Sequence, residues 1–209
     1  MDAAGSTSLQ LADWRRRVSE LYAAVRAQTS PERGHELWRA GRDELFLTHP
    51  QSPLAAGDPL RGTGLPYWPY DPALRFSLPL LESPEPTELS LDTGADGQST
   101  LTRVGRIELL EPLSATLDVW WLRQYGGGLF LPVRDGTAGQ ASYGGGRYLL
   151  DTAKGADLGG TLGRAGGTMV IDLNFLYHPS CRYDSTWVCP LAPPGNRIAA
   201  PIAAGERLV

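Results

Sequence analysis

The stretch STLTRVGRIELLEPLSATLDVWWLRQYGGGLFLPVR (Ser99–Arg134) decides the fold class. It reads as three strands, 99–110, 115–123 and 128–134, with turn residues between them and no helical period. The same punctuation extends outward. Residues 75–81 and 87–92 read as strands before it, and 146–152, 168–177 and 197–204 after it. TGADGQS at 93–99 supplies a turn between two of them. Eight short strands without intervening helices predict an antiparallel β-barrel or roll.

Upstream the period changes. Leu11, Trp14, Val18, Leu21 and Val25 step by three and four residues. That is the apolar stripe of a helix capped by Thr7 or Ser8 and running to about Gln28. Ser30-Pro31 reads as the cap and first residue of a second helix, with Glu32 near its positive end. This helix carries Leu37, Trp38, Gly41, Leu45 and Phe46 and stops near His49-Pro50. Gly41 offers a place for the two helices to approach closely. The expected class is therefore α+β: an N-terminal two-helix hairpin, residues 1–48, packed on a β-rich domain, 49–209, as one compact unit. The connection over 50–72 holds six prolines, yet Tyr67, Trp68 and Tyr70 mark it as ordered, because free linkers avoid aromatics.

A net charge of −4 over 209 residues, with no basic block, argues against nucleic acid as a partner and against an anionic membrane surface. No apolar run approaches the length of a membrane span. The first residues lack the basic-then-apolar pattern of a signal peptide, so the expected compartment is the cytoplasm. Cys181 and Cys189 do not make a disulfide framework. With His178 they offer three zinc ligands at a spacing that matches no standard pattern, so no metal and no cofactor is expected. A local Cys181–Cys189 bridge needs an oxidising compartment. In a reducing one the two thiols pack as small hydrophobes.

The candidate site rests on polar residues that break the strand pattern. In MVIDLNFLY (Met169–Tyr177), Asp172 and Asn174 interrupt an apolar face, and a buried carboxylate must be paired. Arg147 and Asp151 share a face of 146–152 but lie about 13 Å apart along an extended strand. Each then needs a partner elsewhere, and Asp172 is the natural one for Arg147. Asp118 is a third acidic residue in a strand. Two readings follow: a buried Arg–Asp network that fixes register, or a polar cavity lined by Arg147, Asp151, Asp172 and Asn174 with Tyr143 and Tyr125 at its rim.

YGGGRYLLDTAKGAD (Tyr143–Asp157) holds Lys154, the only lysine; the other eighteen strong bases are arginine. A position that keeps lysine against that bias is a candidate for needing a compact ammonium. Asp151 and Asp157 beside it favour the charged amine, which suits holding a negative or polar group better than acting as a nucleophile. The two Tyr-Gly-Gly-Gly runs each precede a strand rather than a helix, so neither is a phosphate loop.

WRAGRDELFLTHPQSPL, YGGGLFLPVRDGTAG, YGGGRYLLDTAKGADLG, DLNFLYHPSCRYDSTWVCPLAPPGNRI and AGER, which together span most of residues 38 to 207, resemble a bacterial family, the domain-of-unknown-function 1684 family. The resemblance implies no activity and no cofactor, so no catalytic residue is carried over from it. Similar sequences have asparagine where His178 stands, which speaks against an essential metal ligand there, and Asp-Phe-Asn in place of Asp172-Leu173-Asn174. The resulting expectation is an uncharacterised protein that binds a small polar or acidic molecule in a β-barrel pocket around Arg147, Lys154 and Asp172. The alternative is a non-catalytic structural or interaction module. The residues assign neither a reaction nor a catalytic group.

Overall fold

A computed structural model of the chain describes residues 3–83, 85–92, 97–123, 125–161, 163 and 166–209. Helix α1 (Ala3–Arg26) and helix α2 (Pro31–Thr48) form the N-terminal hairpin. Ser30 caps α2, its Oγ accepting from the Arg33 N–H at 3.4 Å. A Cβ on Gly41 would lie 2.5 Å from Leu21 Cδ1, so the missing side chain sets how near the two helices come. The one-turn helix α3 (Leu60–Thr63) sits in the proline-rich connection. That connection is pinned by aromatics: the Trp68 N–H donates to the Gly205 carbonyl at 3.0 Å, and the Tyr70 hydroxyl to Asp172 at 3.1 Å.

Among the described residues seven strands follow: β1 (Arg75–Pro79), β2 (Glu88–Asp92), β3 (Gln98–Leu109), β4 (Ala115–Leu122), β5 (Gly128–Val133), β6 (Arg147–Asp151) and β7 (Thr168–Asp172). Strands β2 to β6 form a five-stranded antiparallel meander in sequence order, and β1 pairs with β7 in a separate antiparallel pair. Arg106 lies opposite Asp118 in the β3–β4 register and pairs with it at 2.8 Å. Residues 93–96 of the expected turn lie outside the described residues.

The architecture is α+β, but the sheets do not close into a barrel. Single bridges tie them together, Leu81 to Arg106 and Tyr148 to Tyr177, without a continuous ladder. Two expected strands change. The run 168–177 stops at Asp172, whose side chain accepts from the Asn174 N–H at 3.1 Å and starts a 3-10 turn over Leu173–Phe175. The segment 197–204 forms one bridge, to Arg134, and no strand. Pro201 has no N–H to give a ladder. The carbonyls of Ile202, Ala204 and Glu206 are taken instead by the Arg147 guanidinium. Tyr22, Val25, Trp38, Leu45 and Phe46 of the helices join Ile107, Leu117, Leu131 and Ile171 of the strands in one buried cluster.

Candidate functional site

A cleft of about 810 Å³ runs between the helical hairpin, the ends of β5 and β6, and the segment 177–190. Leu11, Trp14 and Val18 line it from α1, and Arg42 and Phe46 from α2. This is why the α1 stripe is only half-buried over its first turns. Phe130, Tyr148 and Tyr177 form the aromatic wall opposite, and Trp187 and Val188 the outer rim. The pocket lies outside the sheet, not inside a barrel.

Lys154 and Asp151 stand together on this cleft. The strand β6 ends at Asp151, and the 3-10 turn Thr152–Lys154 carries the lysine back over it. Gly155 closes the turn at φ +75°, a left-handed conformation that suits glycine. The ammonium meets Asp151 Oδ2 at 2.6 Å. The carboxylate is nearly enclosed, whereas the lysine side chain is 45% exposed. The amine is therefore anchored by one carboxylate and still open to the cleft.

Cys189 also lines the cleft. The Cys181 N–H points at its sulfur, 3.4 Å away, and Cys181 Sγ lies 3.8 Å from the Tyr143 hydroxyl. The expected proximity of the two cysteines is present, with both thiols free.

At the inner end, Arg42 and His178 line the cleft and meet the buried Glu206. Arg42 reaches Glu206 Oε2 at 2.8 Å, and the His178 N–H donates to the same oxygen at 2.9 Å. Nε2 of His178 accepts from the Tyr143 N–H at 3.1 Å. That acceptor role leaves the proton on Nδ1, which faces Glu206 Oε1 at 3.5 Å. His178 is thus held at Nε2 by the Tyr143 N–H and faces the Glu206 carboxylate with Nδ1. Burial pushes the Glu206 carboxyl up, but the Arg42 charge and the His178 contacts outweigh it and hold it below its usual range. The Arg42 guanidinium lies over the Trp38, Phe46 and Tyr177 rings at 4.8–5.2 Å.

A family model described as "Protein of unknown function (DUF1684)" matches residues 62–207. The chain belongs to the DUF1684 family. A similar solved structure is that of an uncharacterised protein of Haloarcula marismortui, determined in solution by NMR. It is 31% identical, with a TM-score of 0.56, over 81% of this chain and 90% of that one. No curated protein matches the chain. The DUF1684 match contains Asp151, Lys154, Cys181, Cys189 and Glu206, while the α1 and α2 walls of the cleft lie outside it.

The other expected site residues in this DUF1684 chain go elsewhere. Arg147 does not pair with Asp172. It is fully buried against Asp135 at 2.7 Å, three backbone carbonyls and the Trp68 ring. Asp172 is opposite Arg75 in the β1–β7 register and pairs with it at 3.0 Å. Asn174 holds the backbone of Asp71 through both its amide atoms, at 2.8 Å each. Tyr143 stands beside the thiols, and Tyr125 is wholly exposed at the cleft mouth. So the cleft gathers Lys154, Asp151 and Tyr125, and the structure does not bring Arg147, Asp172 or Asn174 to it.

Arg42 and Glu206 are the polar residues that spacing alone does not single out. A signal exists for Arg42: with Trp38 and Leu45 it steps by four and three, which puts a charge on the buried face of α2. Glu206 offers only a charge after the apolar run PIAAG.

Proposed function

We propose that the cleft binds a small polar or acidic molecule, with the Lys154 ammonium as its principal contact. The observation that carries this reading is a half-exposed ammonium, held by a nearly buried carboxylate, on the wall of an 810 Å³ aromatic-lined cleft. A concave, largely apolar site with a few placed polar groups is the usual form of a small-molecule pocket. Lys154 and Arg42 would attract a carboxylate or phosphate, and Trp14, Phe130 and Tyr148 would take its apolar part. The test is a thermal-shift screen of small carboxylates and phosphates against the wild type and Lys154→Met. A ligand present at 100 times its Kd adds about 2.7 kcal/mol to stability. A shift seen with the wild type and lost in Lys154→Met, each measured from that protein's own unliganded melting temperature, supports the reading. Shifts of equal size in both proteins remove Lys154 from it.

A second reading is a non-catalytic module whose polar network only specifies the fold. The enclosed Arg147–Asp135 pair favours it, since every partner of that guanidinium is part of the scaffold.

A further inference from the structure

The segment His178–Pro190 sets two thiols side by side, one of them on the wall of an open cleft. Pro179 leads into a 3-10 turn, Ser180–Arg182, which presents the Cys181 N–H to Cys189 Sγ at 3.4 Å. Cys189 lines the cleft together with Lys154, and Cys181 stands behind it toward the Tyr143 hydroxyl. We propose that Cys189 and Cys181 are a redox-active dithiol, in which Cys189 attacks a disulfide that enters the cleft and Cys181 resolves the product.

The arrangement supplies what each step requires. The nucleophile in thiol–disulfide exchange is a thiolate, and it forms where donors and positive charge surround the sulfur. Cys189 accepts from the Cys181 N–H at 3.4 Å and lies beside the Cys181 thiol and in the field of Lys154. Against the cost of burial, these lower its pKa to about 6, the thiol contact being the largest influence. The Cys181 thiol is pushed the other way, by the same contact first and by burial second. One sulfur is thus ready to attack while the other keeps its proton. In the first step the Cys189 thiolate attacks one sulfur of the substrate disulfide R–S–S–R. A Cys189–S–S–R bond forms, the substrate bond breaks, and one thiolate leaves. In the second step Cys181 loses its proton and attacks Cys189 Sγ, closing a Cys181–Cys189 disulfide and expelling the second thiolate. The protein gives up two electrons, and the disulfide becomes two thiols. Structural thiols elsewhere in proteins stay inert because they lack a resolving neighbour and an opening; this pair has both.

The inference depends on the opening at Cys189 and not on the cleft holding an anionic ligand. The test uses reduced full-length protein and oxidised glutathione at neutral pH, followed by mass mapping of cysteine peptides. The wild type should form the Cys181–Cys189 bridge and release two equivalents of glutathione. Cys181→Ser should stop at a stable glutathione adduct on Cys189. Cys189→Ser should leave Cys181 unmodified over the same time. Competitive iodoacetamide labelling of the wild type requires no variant to fold, and Cys189 should label at least about tenfold faster than Cys181, in line with its thiolate character. Equal labelling of the two, or a wild type that accumulates the adduct without closing the bridge, overturns the proposal. Two half-buried packing thiols would give the first of those results.

Discussion

Lys154 shows what a single residue carries. Its Nζ sits 2.6 Å from a nearly buried carboxylate, so the amine is fixed in place rather than swinging in water. A guanidinium there would be a wide planar fork on a short 3-10 turn. Lys154→Arg should therefore fold normally and, if the proposed reading holds, bind a small acidic molecule more weakly, by about tenfold for one lost charge-assisted hydrogen bond. Titration calorimetry with any ligand from the thermal-shift screen checks it, and unchanged affinity would mean that arginine serves at this position as well as lysine. Asp172 is a different case. It accepts from Tyr70, from Arg75 and twice from Asn174, but Arg75 is one-third exposed and can turn to water. Asp172→Asn should cost about 1–3 kcal/mol. Asp135→Asn strips the fully enclosed Arg147 of its paired carboxylate and should cost about 3–5 kcal/mol. Urea melts of the two variants should rank in that order.

The elements themselves were legible wherever their signal is local. Ser30-Pro31 and the apolar stripes give α1 and α2, and turn punctuation gives the positions of β2 to β6, though not the open sheet they form in place of a barrel. Where a backbone contact from elsewhere intervenes, the local signal fails. The 197–204 segment has the composition of a strand, but Arg147 from β6 takes its carbonyls. The turn after β6 shows the same dependence on a distant partner. A Cβ on Gly155 would fall 2.7 Å from Ser19 Cβ and 2.9 Å from its Cα, at a φ that strains any L residue. Gly155→Ala should destabilise by about 1–3 kcal/mol. Gly41→Ala meets only the flexible end of Leu21, and gains helix propensity of about 1 kcal/mol, so it should be close to neutral. Thermal denaturation of the two glycine variants distinguishes a backbone clash from a side-chain one.

For the whole molecule, buried titratable groups set the response to acid. His35 is packed among Trp38, Tyr67, Tyr70 and Phe175. Burial, then the Arg39 charge, lowers its pKa from 6.5 to about 4. The unfolded chain therefore takes up a proton at this position before the folded one does. That contribution is whole above pH 6.5 and is lost as the pH falls toward about 4. Glu206 and Asp135 are both held below their usual values, in each case because charged partners outweigh burial. Their contribution is whole above the ordinary carboxylate range and disappears as the pH falls through it and below. Stability should thus decline from neutral pH downward in two stages, and His35→Gln should remove the first, as measured by urea melts across that range. The sequence by itself determined the two helices, the strand positions in the middle of the chain, the need to pair each buried charge, and the singular lysine, because periodicity, caps and composition are local properties. Only the tertiary structure decided which charges meet. Arg147 finds its carboxylate across the β5–β6 connection and its carbonyls in the C-terminal segment, Glu206 comes to Arg42 from the far end of the chain, and α1 closes one side of the cleft. Pairing over such separations follows from how the layers stack, and residue type and spacing along a strand do not carry that information.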